Sequence, residues 1–194
     1  MCMAFVVGCD KEDEGLTTQQ DQIVRYLTSS HDPRLIAIEE VPNAIVENPP
    51  FYERLNLNTY RYIATYYDAG RQSKTKVEAG DEVELYFAAY ALSSGAPSNG
   101  SLYFTNDATL IEQLSKAGLN TEYWSTEPLR VKIGSSDILK GVETSLLDCR
   151  EGDAVEVYMA YESAYGKKNA MGVIPAKTGV AWFYVINRVI KSGR

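Results

Sequence analysis

Apolar positions along the chain change their spacing several times, and each change marks an element. Ile23, Val24 and Leu27 share a helical face behind Thr17 and Gln20, a capping-box pair, which predicts a short helix over Thr17 to Leu27. "RLIAIEEV" (Arg34 to Val41) reads as a strand, and the Asn- and Pro-rich stretch from Pro42 to Pro50 as a loop. "YRYIATYY" (Tyr60 to Tyr67) has strong β propensity and stops at Asp68-Ala69-Gly70, a turn signal. "EVELYFAAYAL" from Glu82 is a second long strand, closed by the turn-rich "SSGAPSNG". The spacing becomes helical again from Asp107 to Gly118, with Asp107 as cap and Leu110, Ile111 and Leu114 on one face. Leu129 to Ile133 is strand-like. Ile138 to Leu147 is helical through Leu139, Val142 and Leu146, and Ala154 to Tyr161 is a strand.

The last strand, from about Val180 to Ile190, carries Trp182, Tyr184 and Ile186 on one side and Ala181, Phe183 and Val185 on the other. Two faces apolar over much of its length fit a central strand or one covered on both sides. The pattern sums to an α+β domain of antiparallel strands with one short central helix. In the connection between the last two strands, Ser163 to Lys177 alone is fifteen residues, far more than a hairpin needs. Long ordered loops in compact domains are usually functional, and this one carries tyrosine, glycine, lysine and proline.

Composition narrows the chemistry. A chain of 194 residues with 45% hydrophobic and 23% charged residues can bury a core as one ordinary globular domain with an extension. Its net charge of -7, with basic residues scattered singly, argues against a nucleic-acid partner, which needs clustered Lys and Arg. One histidine, His31, leaves no material for a Ser-His-Asp triad or a multi-histidine metal site. Beside Asp32 and Pro33 it reads as a solvated turn residue.

Three cysteines do not make a disulfide framework. Cys149 reads as a small buried hydrophobe. Cys2 and Cys9 lie in the apolar start "MCMAFVVGC", which "DKEDEG" follows at once. That start is either a plain apolar terminus or the tail of a secretory signal. In the second reading Val6-Val7-Gly8-Cys9 resembles the lipobox of bacterial lipoproteins, with Cys9 as the lipidated residue. Lys11-Glu12-Asp13 is similar to the acidic signal that sends lipoproteins to the surface in some Bacteroidetes. Other apolar runs are too short to span a bilayer. The resemblance therefore implies attachment to the cell envelope by lipid alone.

The order of features in the carboxy-terminal part resembles the FKBP-type peptidyl-prolyl cis-trans isomerase domain over about Tyr60 to Ile190, roughly two thirds of the chain. "AGDEVELYFAAY" is similar to the family's second strand and "GSLYFTN" to its G-x-x-F-D-S-S element. "VKIGSSDILKGVETSLLDCREGD" resembles the segment around its GW dipeptide, and "AYGKKNAMGVIPAKTGVAWFYVI" its AYG…IPP…F-x-V-x-L segment. The resemblance implies an antiparallel half-barrel sheet wrapped on a short central helix, with an N-terminal helical and strand extension. It divides the chain into a signal tail, lipobox and acidic linker (1–15), an accessory segment (16–58) and the domain (59–194) with a helical insertion at 107–124. It also implies an apolar pocket closed by the long loop. By periodicity alone most of the matching positions are core. By resemblance Tyr165, Leu139 and Trp182 are catalytic, Tyr165 through its hydroxyl and Leu139 through its backbone N–H. Phe87, Tyr103, Leu129, Ile138, Val142 and Ile174 line the pocket for a proline-containing polypeptide. No metal or organic cofactor is implied.

Three features depart from the family pattern. Val142 stands where its GW tryptophan belongs, and Trp182 stands where it usually has phenylalanine. Phe104 replaces the aspartate of the F-D pair, and the loop after "GSLYFTN" has grown into the insertion. These leave two readings, an isomerase that assists exported proteins and a peptide-binding module of the same fold.

Overall fold

A computed structural model describes residues 14–135 and 137–193. The expectations for Cys9, the lipobox and the acidic triplet lie outside the described residues. The chain runs through α1 (Glu14–Arg25), a π-helical turn, β1 (Ile36–Ala37), β2 (Phe51–Asn56), β3 (Thr59–Ile63), β4 (Glu82–Ala91), β5 (Leu102–Thr105), α2 (Ala108–Lys116), β6 (Leu129–Lys132), α3 (Lys140–Leu146), β7 (Ala154–Met159) and β8 (Val180–Ile190). The strands form one sheet in the order β1-β2-β3-β7-β8-β4-β5, with β6 also paired to β4. Only β1 and β2 pair in parallel. The α+β plan read from the sequence is the observed one.

β8 is central because β4 pairs along its whole length on one side and β7 pairs with its first half, Val180 to Val185, on the other. Its inner side chains Trp182, Tyr184 and Ile186 enter the main core with Val142 and Leu146 of α3. Gly141 lets α3 sit this close, since a Cβ there would stand 2.5 Å from the Met159 sulfur. On the other face Ile23 and Leu27 of the amino-terminal helical segment pack on Tyr60, Tyr158 and Ala181. That cover stops short, and Tyr86 and Val185 remain exposed. The last strand is thus covered on both faces only over its first residues.

The amino-terminal segment differs from its sequence reading at several places. Helix α1 is already helical at Glu14, so Thr17 is inside it and is not its cap. "RLIAIEEV" gives strand only at Ile36 and Ala37, then a 3-10 turn over Ile38–Asn43. Adjacent Glu39 and Glu40 would put a charge on each face of a strand, and the Glu40 side chain instead accepts from the Ala37 N–H. β3 ends at Ile63, because Tyr66 and Tyr67 turn back to pack edge-on against Phe51. β2 was not expected, and its hairpin with β3 straddles the boundary drawn at residues 58 and 59. Strands β1 and β2 therefore extend the same sheet.

His31 is buried at 5% exposure rather than solvated. Its Nδ1 faces the Pro33 carbonyl at 2.6 Å and its Nε2 the Glu156 carboxylate at 2.9 Å, so two acceptors hold a doubly protonated ring. Tyr26 and Tyr62 close around it edge-on, and Tyr158 packs on it and donates to the same carboxylate. Burial opposes the charge, but the Glu156 and Pro33 hydrogen bonds and the Glu156 and Asp32 charges outweigh it and raise the pKa. The unfolded value is about 6.5. The stabilisation is therefore full below that pH and is lost as pH rises through the higher folded value. Urea midpoints should show wild type losing its advantage over His31→Gln as pH rises above the unfolded value of about 6.5 and through the raised folded one. A difference that grows with pH would contradict this pairing.

At the other edge, β6 pairs with the first half of β4 and β5 with the second. Asn106 fills the gap between them. Its Oδ1 accepts from the Phe87 N–H at 2.7 Å, and its Nδ2 donates to the Leu85 and Glu127 carbonyls at 2.9 Å each. The insertion leaves the sheet at this residue, and Asp107 caps α2 through the Leu110 N–H as its sequence predicts. One buried amide thus ties both ends of the insertion to β4.

Candidate functional site

Between β6, the approach to α3, the long loop and β8 lies a cavity of about 310 Å³. That is near the lower end of the roughly 300–1,000 Å³ of small-ligand sites. Leu129, Ile138, Leu139, Tyr165 and Trp182 line it, which brings together five of the nine residues expected. Helix α3 begins at Lys140, two residues later than its periodicity indicated, so Ile138 and Leu139 stand before it as walls. The Leu139 N–H has no hydrogen-bond acceptor among the described residues.

The other four expected residues do not line this cavity. Phe87 is buried behind Trp182, with ring centroids 4.6 Å apart and planes at 9°. Tyr103 is buried beneath the site and bonded to two of its walls. Val142 is fully buried in the core against α3's neighbours. It is not among the walls of the cavity, and the indole of Trp182 supplies an aromatic wall from the strand side. Ile174 faces an adjoining groove instead.

Phe104, Val131, Met171, Arg130 and Asp137 also line the cavity, and the sequence reading had not placed them there. Val131 was recoverable, since it shares a strand face with Leu129 at a spacing of two. Phe104 stands where the family pattern has a carboxylate. It packs edge-on to Phe87 at 5.0 Å and to Trp124 of the insertion at 6.1 Å, joining the two. Met171 has a left-handed backbone, φ 51°, set by the loop, and nothing local in the sequence announces it.

The loop is ordered by its own backbone. Gly166 takes φ 70°, and its carbonyl accepts from the Lys177 N–H at 3.0 Å, closing the base. The Ala170 and Ile174 amides exchange hydrogen bonds of 2.9 Å at the tip. Gln19 of α1 bridges both ends, donating to the Lys177 carbonyl at 2.7 Å and accepting from the Tyr161 N–H at 3.0 Å. The amino-terminal helix thus reaches the loop that covers the cavity.

A chain of hydroxyls crosses the site. The Trp182 indole N–H donates to the Tyr103 oxygen at 2.9 Å. The Tyr103 and Tyr165 oxygens are 3.2 Å apart, and the buried Tyr103 proton has no other acceptor among the described residues, so it goes to Tyr165. Tyr165 then directs its proton at the Met171 sulfur, 3.2 Å away. Burial raises the Tyr165 pKa and the Tyr103 bond partly offsets this, so the hydroxyl stays protonated at neutral pH. A thioether is a weak acceptor. The Tyr165 proton is therefore held in place yet available to a better one.

Arg130 and Asp137 are the charged side chains at the cavity, and no three His, Cys, Asp or Glu residues among those described group to hold a metal. Cys149 is buried, with its thiol pushed up to about 12 by burial, and stays inert.

A family model described as FKBP-type peptidyl-prolyl cis-trans isomerase matches residues 73–185, more than half the chain. Among solved structures, the chain is similar to the N-terminal domain of FKBP42 from Arabidopsis thaliana, with a TM-score of 0.51 and 16% identity. The match covers 76% of this chain and 97% of that one, and at this identity it concerns the fold. No curated protein matches.

Proposed function

The chain belongs to the FKBP-type peptidyl-prolyl cis-trans isomerase family, and from that membership we propose that it accelerates rotation about X-Pro bonds in the cavity beside Trp182 and Tyr165. The observation that carries this reading is the Tyr165 hydroxyl, held by Tyr103 and facing only a sulfur.

The amide barrier of roughly 18–20 kcal/mol comes from partial double-bond character. Uncatalysed X-Pro exchange takes tens to hundreds of seconds. Twisting the bond removes the conjugation and makes the amide less dipolar, so apolar walls favour the twisted state over the planar one. The proline ring lies against Trp182 and Leu129, and Ile138 and Leu139 keep water out. The Tyr165 proton moves from the Met171 sulfur to a substrate carbonyl, and the Leu139 N–H donates to a flanking one. Each 1.36 kcal/mol of preference for the twisted state gives about tenfold in rate.

Tyr165→Phe removes one neutral hydrogen bond of about 0.5–1.5 kcal/mol. A fall of about two- to tenfold in kcat/KM on a proline peptide, with unchanged folding, is the expected result. Wild type that leaves exchange at its uncatalysed rate, measured by NMR exchange spectroscopy, would reject catalysis. Peptide binding that persists in that case would make this a binding module, a reading that Phe104 in place of an acidic residue favours.

On the pattern Val6-Val7-Gly8-Cys9, the same proposal makes the protein a lipid-anchored folding assistant for exported chains at the cell envelope. Mass spectrometry of the native protein should find a lipidated Cys9 as its first residue. Intact residues 1–8 would reject the anchor.

A further inference from the structure

The proline cavity shares two of its walls, Phe104 and Met171, with a second and larger groove of about 560 Å³. One side of that groove is the insertion, through Leu119 and Trp124, and the opposite side is the long loop, through Met171, Val173 and Ile174. Leu119 is 46% exposed and Val173 64%, although both are large and apolar. Among the described residues no charged side chain lines this groove, whereas Arg130 and Asp137 stand at the first cavity.

We propose that this groove is a second subsite for the same polypeptide, taking a large apolar or aromatic side chain two or three residues from the proline. The proposal rests on the isomerase-fold pocket being where the proline binds. The shared walls are single side chains, so an extended segment of two residues, about 7 Å, passes from one cavity to the other. Absence of charge among its walls selects a neutral, apolar occupant, because a charged side chain would lose its hydration there without gaining a partner. The insertion then has a physical role. It closes one side of a binding surface that the sheet edge and the loop leave open, and Asn106 holds its two ends against β4.

The test uses Ala-rich peptides with one proline, and matched peptides carrying phenylalanine or glutamate two or three residues before or after it. Calorimetry gives the dissociation constants and NMR exchange the isomerisation rates. For at least one of the four positions, phenylalanine should lower Kd about tenfold, the effect of burying one large apolar side chain. Glutamate should give no gain. In the double variant Leu119→Ser, Val173→Ser, whose side chains are exposed, the ratio of alanine- to phenylalanine-peptide Kd should fall to about two or less. A wild-type ratio of one at all four positions overturns the subsite, as does a ratio that the double variant leaves intact. Failure of any peptide to bind overturns it too. A phenylalanine preference that the double variant abolishes, with no acceleration of exchange, upholds the subsite and rejects the isomerase reading. Acceleration with no preference does the reverse.

Discussion

Trp182→Ala is expected to abolish acceleration of X-Pro exchange and to lower folding stability by about 3–5 kcal/mol, the usual range for truncating a buried tryptophan. The side chain is 4% exposed, is stacked on Phe87 and donates to Tyr103. Its removal has three consequences. The main core gains a void beneath β8. Phe87 loses the face it stacks on, and the hydroxyl chain loses its first donor. Tyr103 is then free to turn, and the Tyr165 proton is no longer fixed toward the cavity. A domain stable by about 5–15 kcal/mol can remain folded after such a loss. Activity should therefore be read at low temperature, with near-UV circular dichroism showing that the core is intact.

Trp182→Phe separates the causes. It keeps a ring against Phe87, places there the residue that the family usually has, and removes the indole N–H with the second ring that carries it. Its stability should fall by about 1–3 kcal/mol, from one buried hydrogen bond and the space left by the lost ring. Its kcat/KM should drop several-fold, close to that of Tyr165→Phe, if the hydroxyl chain acts as a unit. Wild-type activity in Trp182→Phe would mean that the wall matters and the chain of donors does not. Wild-type activity in Trp182→Ala would remove the cavity from the mechanism altogether.

The sequence shows where the strands of the site lie, because the inner face of β8 and the alternation along β6 follow from side-chain period alone. It shows the loop as well, since the fifteen residues from Ser163 to Lys177 exceed the turn of any common hairpin. Whether a buried residue lines the cavity or backs it depends on reach across the core, which periodicity does not carry. Phe87, Tyr103 and Trp182 all alternate correctly, yet only Trp182 touches the cavity. Val142 sits on the right face of α3 and is likewise not among the cavity's walls. His31 was hidden for a different reason. Its partner Glu156 is 125 residues away, and a local reading of His-Asp-Pro as a turn contains nothing of β7. β2 was missed because Glu53 and Arg54 interrupt its apolar run. The Glu53 carboxylate is compensated by Arg61 on β3, whose Nε donates to it at 2.7 Å.

Asp153→Ala should separate stability from function in the opposite sense. Asp153 is 1% exposed and receives both arms of Arg71, from Nε and Nη2 at 2.7 Å each, and the Arg150 N–H at 2.7 Å. Its removal strands a buried guanidinium, which costs about 3–5 kcal/mol. With a urea slope of about 2 kcal/mol/M, the midpoint should fall by about 1.5–2.5 M. Replacing both partners, as Arg71→Met with Asp153→Leu, leaves no buried charge and should restore most of that loss. The ion pair stands at the start of β7, and the loop that covers the cavity leaves from beyond its end, six residues or about 20 Å away. The folded fraction of Asp153→Ala should therefore turn over a proline peptide with wild-type kcat/KM. An activity loss as deep as that of Trp182→Ala, in protein shown to be folded, would mean that the turn before β7 is coupled to the cavity through the strand. Recovery of stability without activity in the double variant would point the same way.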